Sequence, residues 1–199
     1  MTGDHYFTAE PAAPARPSTV GFTAFGREFE LVAAGGVFSA QRLDPGTAVL
    51  LRKAPQPSGR GGTYLDLGCG YGPLALVLAA RSPGAQVWAV DVNERALELC
   101  ADNATQAGLG NVRCVRPGDP GLPGQFALIW SNPPIRIGKQ ALHDLLAGWL
   151  ARLAPDGSAY LVVQRNLGSD SLQRWLAEAG WTVRRAAARG GYRVLAVHR

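Results

Sequence analysis

An α/β architecture, a mostly parallel sheet with helices on both faces, is what this sequence predicts. Three observations carry that expectation. From residue 62 onward, short apolar runs alternate with amphipathic stretches, the order that parallel strands with crossover helices require. The first run ends in a glycine-rich turn, "LDLGCGYG", and the second ends in an aspartate, "QVWAVD". The 199 residues are 47% apolar, which suits one domain with a sizeable core and argues against disorder.

The elements follow in order. Residues 10–19, "EPAAPARPST", read as an extended Ala/Pro arm. "TVGFTAFGREFELVA" alternates on either side of a Phe-Gly-Arg turn and predicts a hairpin. "LDPGTAVLLRKA" predicts a helix with Asp44 as N-cap and Pro45 at the first helical position. After the joint "PQPSGRGG", "TYLDLG" is a strand, "PLALVLAARS" a helix opened by Pro73, and "QVWAVD" a second strand. "NERALELCADNATQAG" is a helix capped by Asn93; "NVRCVRP", "FALIWS" and "GSAYLVVQ" are further strands. "KQALHDLLAGWLARLA" and "SDSLQRWLAEAG" are amphipathic helices, and "WTVRRAAA" with "YRVLAVH" form a closing antiparallel pair.

Composition narrows the function classes. No run of about eighteen apolar residues exists to span a membrane. "MTGDHYFTAEPAAPARPS" lacks a basic start followed by an apolar block, which argues against a secretory signal and for the cytoplasm. Cys69, Cys100 and Cys114 are widely spaced with no C-x-x-C pair, so neither a disulfide framework nor a zinc site is expected and no metal is assigned. The net charge of +5 falls in residues 160–199, where seven arginines face only Asp170 and Glu178. That suits a nucleic-acid partner. It also suits a plain compositional bias, since arginines outnumber lysines eighteen to two.

Ligands of open parallel sheets bind at the carboxyl ends of the strands. Gly68, Gly70 and Gly72 let backbone turn sharply and approach a ligand there. Pro73 stands where a dinucleotide fingerprint needs its third glycine, and no G-x-x-x-x-G-K-[ST] loop is present. A dehydrogenase is therefore the weakest reading. Asp91, ending the second strand, can accept both hydroxyls of a ribose, and Asp66 suits a charged amino group. Ribose and ammonium without phosphate describe S-adenosylmethionine.

"SNPPIRIGK", residues 131–139, follows the fourth strand with two prolines behind an asparagine. As plain structure it is a stiff strand terminator. As chemistry, the Asn132 side-chain carbonyl and the Pro133 backbone carbonyl can accept both hydrogens of an NH2 group, aligning a delocalised amine for attack.

"LDLGCGYG", "VDVN" and "SNPPI", in this order, resemble the motifs of class I S-adenosylmethionine-dependent methyltransferases. Together with "DHYF", "GVFS", "LDPGT" and "GGYRV", they resemble more narrowly the small methyltransferase domain of ribosomal RNA guanine-N2 methyltransferases. The resemblance implies a Rossmann-like seven-stranded sheet preceded by a short N-terminal hairpin and helix. Residues 1–58 would pack as arm, hairpin and helix on a cofactor-binding domain of residues 59–199, forming one structural unit. It implies methyl transfer to the 2-amino group of a guanine, with RNA or a ribosomal subunit as partner. Asp66, Gly68, Cys69 and Gly70 would line the methionine end of the cofactor, Asp91 the ribose, with Asn93 beside it, and Asp119 the adenine amino group. Asn93 also reads as a plain helix cap and Asp119 as an ordinary turn residue.

Asn132 and Pro133 would bind the target amine, and Pro134, Ile135, Arg136 and Lys139 would flank the substrate. Ile135 departs from the usual pattern of amino-methyltransferases, in which a Tyr, Phe or Trp there stacks on the planar substrate; an aromatic from elsewhere would supply that stacking. Tyr192 and Arg193 would stack on or clamp the base, and His5, Tyr6 and Phe7 would fold over the cofactor. Phe38 reads as core. The same corner serves methylation of a protein glutamine or of a small amine. A third reading is a non-catalytic RNA- or cofactor-binding module.

Overall fold

The computed structural model describes residues 16–57 and 61–199. Most of the Ala/Pro arm, with His5, Tyr6 and Phe7, lies outside the described residues.

An antiparallel hairpin comes first, β1 (Pro17–Ala24) with β2 (Arg27–Ala34). Phe25 and Gly26 both take positive φ, 51° and 76°, at its two-residue turn, matching the twist of the flanking strands. Phe22 and Phe29 face each other in register and stack with centroids 5.2 Å apart. Helix α1 (Pro45–Lys53) starts as its sequence dictates, Asp44 accepting from the Thr47 amide at 2.8 Å.

The remainder alternates as expected: β3 (Gly62–Leu67), α2 (Pro73–Arg81), β4 (Ala85–Val90), α3 (Glu94–Gln106), β5 (Val112–Val115) and β6 (Phe126–Ser131). Then come α4 (Lys139–Leu150), β7 (Leu153–Gln164), α5 (Ser169–Glu178), β8 (Thr182–Arg189) and β9 (Tyr192–His198). Seven strands form one sheet in the order β5-β4-β3-β6-β7-β9-β8. The first five run parallel; β9 is antiparallel to both β7 and β8. The chain leaves β3 toward one edge and returns at β6 toward the other. That reversal opens a crevice at the carboxyl ends of β3 and β6, where the glycine loop and Asn132 emerge.

Alternation along the strands builds two cores. Tyr64, Val87, Leu128 and Trp130 face α1, α2, α3 and the hairpin, while Leu65, Leu67 and Ile129 pack on Leu142, Leu146 and Leu172 of α4 and α5. Buried Asn103 on α3 ties the hairpin down. Its Oδ1 accepts from the Val32 amide at 2.8 Å, and its Nδ2 donates to the carbonyls of Val32 (2.8 Å) and Tyr71 (2.9 Å).

Two expectations are corrected. The helix read through residue 154 ends at Leu150, because Ala154 precedes Pro155 and is biased to extended backbone; Leu153 instead opens β7 and pairs with Phe126. Phe38 is not core: it sits in a turn-rich segment after β2, outside any sheet, and is 38% exposed.

Candidate active site

The loop after β3 is shaped by backbone that only glycine adopts easily. Gly68 and Gly70 have φ of 76° and 54°, and a Cβ on either would project into open space. Gly72 is a packing glycine: a Cβ there would lie 2.7 Å from Cys100 Sγ. The amides of Gly68 and Cys69 donate to the Val90 carbonyl at 2.8 and 3.1 Å. Asp91 then locks the loop from the side, accepting from Gly70 N at 2.9 Å and from Asn93 N at 3.0 Å. Burial raises its carboxyl above the ordinary range, and these amide donors oppose the rise. Each oxygen keeps a lone pair for a ligand hydroxyl.

Asn132 is the second pole. Its Nδ2 donates to Asp44 Oδ2 at 2.7 Å and to Thr47 Oγ1 at 3.1 Å. Both amide hydrogens are thereby taken, and the flipped amide would set its oxygen against a carboxylate. Oδ1 is left as the acceptor offered to the crevice. The Pro133 carbonyl accepts from Ile135 N at 2.8 Å and retains one lone pair.

Between the poles lies a cavity of ≈ 270 Å³. Gly68, Gly70, Asp91, Asn93, Asn132, Pro133 and Pro134 line it, with apolar walls from Val37, Phe38, Val92, Ile137, Leu145 and Trp149. A narrow annex joins Asn132, Asp44 and Thr47 to Gly68, Cys69 and Gly70.

The expected residues divide sharply. Asn93 caps α3, accepting from Ala96 N at 3.2 Å, and clips the Gly36 carbonyl at 2.9 Å while facing the cavity. Asp66 is not brought into the cavity wall. It is 0% exposed beneath the loop, accepts from Ala75 N at 2.8 Å, and keeps Oδ1 without a hydrogen-bond partner among the described residues. Burial pushes its carboxyl up to about 8. Asp119 is also outside the wall and closes its own turn through Gly121 N at 2.8 Å; the nearby Pro117 faces the cavity instead.

Ile135 and Lys139 line a separate hollow with His143 and Leu172, and Arg136 is exposed at the surface. Tyr192 and Arg193 line a third hollow beyond β7, where Arg193 is ion-paired with Asp170. The three cysteines, distant in sequence, gather in the core behind the loop, and burial pushes the Cys69 thiol up to about 12.

Residues 28–196 match the methyltransferase small domain family. The chain belongs to that family. It is 32% identical over 195 residues to YbxB of Bacillus subtilis, covering 96% of each chain. It is 34% identical over 148 residues to ribosomal RNA small subunit methyltransferase C of Shewanella amazonensis, covering 72% of this chain and 42% of the relative. A Thermus thermophilus 16S rRNA N2 methyltransferase, RsmC, solved with AdoMet and guanosine, superposes with a TM-score of 0.78 at 26% identity; the match covers 95% of this chain and 52% of that one. The methyltransferase thus spans about half the length of its RsmC relatives, and all of YbxB but a few residues.

Its cofactor is S-adenosylmethionine. The open cradle at Gly68 and Gly70, the lone pairs left on Asp91, and a cavity without a phosphate-binding loop all fit that molecule. Sequence reasoning missed Thr47, Phe38, Ile137 and Trp149 as site residues, and saw in Asp44 only a helix cap. "GVFS" and "LDPGT" were the available signals.

Proposed function

We propose that the methyltransferase transfers a methyl group to the exocyclic 2-amino group of a guanine in ribosomal RNA, acting on RNA or a ribosomal subunit in the cytoplasm. The observation that carries this reading is the double anchoring of Asn132 Nδ2 by Asp44 and Thr47, which commits Oδ1 to accepting. An amino group with two N–H bonds is what an asparagine carbonyl and an adjacent proline carbonyl can receive together. The guanosine bound by the Thermus thermophilus relative supports the choice of base.

Bound S-adenosylmethionine supplies an activated methyl group on a sulfonium. The chain contributes position and environment. Asp91 would hold the ribose hydroxyls, the Gly68–Gly70 backbone the methionine end, and Val92 with Pro117 the flanks of the adenine. Asn132 Oδ1 and the Pro133 carbonyl would accept the two amine hydrogens, aiming the nitrogen lone pair away from the corner. Val37, Ile137, Leu145 and Trp149 would give that space apolar walls. Asp44 is turned to Asn132 and Thr47, so the amine's surplus proton leaves to solvent. Phe38, half open at the cavity wall, would supply the stacking face that Ile135 does not.

Labelled cofactor offered in parallel to ribosomal subunits, total RNA and protein extract tests the reading. Digestion of the RNA should release label as N2-methylguanosine. Label in another nucleoside overturns the guanine assignment, and label only in protein as methylglutamine overturns the RNA assignment.

A further inference from the structure

We infer that the arginine-lined groove at the β8–β9 turn is the surface on which the phosphate backbone of the RNA lies while the target base reaches Asn132. The inference rests on the reading that RNA is the substrate and adds where RNA is held.

The groove, ≈ 360 Å³, is lined by Arg165, Arg185, Arg189 and Arg193 around Tyr192 and a Gly-Gly turn. Asp170 pairs with two of the four guanidinium groups, Arg193 and, at 3.4 Å, Arg185. Arg165 and Arg189 are exposed and have no acidic partner among the described residues. Gathering like charges in a concavity opposes folding, and a polyanion relieves the repulsion. Guanidinium groups also grip phosphate oxygens in pairs.

Its location ties the groove to the corner. Gln164 ends β7 opposite Tyr192, which opens β9, so the groove lies at the same carboxyl edge as the glycine loop. The Arg165 amide donates to the Gly191 carbonyl at 2.7 Å, fixing the turn against the end of β7. β9 is two strands from β6, roughly 10 Å at the usual strand spacing. Tyr192 bridges the interval: its ring lies 3.0 Å from where a Gly46 Cβ would stand, beside Asp44, the partner of Asn132. A strand crossing Tyr192 would deliver a base to the corner with its flanking phosphates over the arginines. That continuity favours RNA over a membrane surface.

The test compares Arg189→Glu in the groove with Arg113→Glu, the same charge change on exposed β5 at the opposite edge of the sheet. Binding of a fluorescein-labelled RNA stem-loop is followed by anisotropy across salt concentrations, with labelled S-adenosylmethionine binding as the check on folding. Arg189→Glu should weaken RNA binding about tenfold and lower the slope of log K against log salt by about 1, whereas Arg113→Glu stays within roughly twofold of wild type. Cofactor affinity should hold in both. Equal losses in the two variants overturn the groove while leaving RNA as substrate. Wild-type protein that binds no RNA overturns the groove together with the RNA reading. Binding to phosphatidylserine vesicles but not to RNA overturns it in favour of a membrane.

Discussion

Asp44 grips Asn132 across 88 residues of sequence: one carboxylate oxygen caps α1 through Thr47 N and accepts the Asn132 amide at 2.7 Å. The helix cap and the Asn132 anchor thus share a single atom, and in the proposed reaction Asp44 is a positioning residue for the amine-accepting carbonyl. Asn132→Ala should lower kcat by about 10²–10³-fold, the typical effect of deleting one positioned polar group in a reaction centre. Asp44→Ala should lower kcat with little change in the Kd for cofactor, and lose about 1 kcal/mol of stability with its cap. Single-turnover rates beside cofactor titrations check this. Parallel losses of rate and cofactor affinity would contradict it.

Asp91 supports the glycine loop and faces the cavity. Asp91→Asn can still accept a loop amide with one oxygen but loses its charge and one acceptor. Cofactor Kd should rise by about 10- to 100-fold, the cost of hydrogen bonds to a charged group. Calorimetric titration with S-adenosylmethionine measures it.

In the proposed reaction Phe38, on the cavity wall, takes the stacking place that Ile135 leaves open. Phe38→Ala should raise KM for RNA by about tenfold, within the range of one base–aromatic stacking contact, and Phe38→Tyr should restore it. A KM unmoved by Phe38→Ala would remove the stacking role.

Asp66 makes stability depend on pH. Burial raises its carboxyl from the ordinary 3.8 to about 8, with the Ala75 amide opposing and the Asp91 charge adding. Between those values the folded chain holds a proton that the unfolded chain has released. Folding stability is therefore fullest at acid pH, falls as pH rises through the window, and levels off above it. The slope is up to about 1.4 kcal/mol per pH unit. Melting temperatures of the cofactor-free protein should decline from about pH 5 to pH 8, and Asp66→Asn should flatten the decline.

The fold was legible because local signals agreed. Asp44 and Asn93 stand where caps are needed, Pro45 and Pro73 at first helical turns, and glycines where β3 must turn. Legibility ended where distant segments meet. Nothing around Asp44 announces Asn132, since their contact exists only once α1 has docked beside β6. Phe38 misled because an apolar residue in an apolar run implies burial, and only the turn after β2 shows it facing the cavity. Asp66 looked ligand-facing by its place before the loop; the end of a buried parallel strand instead put it beneath that loop.

Asn103 has a consequence for how the protein survives in company. A two-stranded hairpin leaves raw edges whose unpaired amides and carbonyls invite another chain to add a strand. By taking both the amide and the carbonyl of Val32, one side chain acts as a false neighbouring strand and closes that edge toward the end of β2. Asn103→Leu would reopen it, turning a packing position on α3 into a determinant of whether the protein stays dispersed or aggregates.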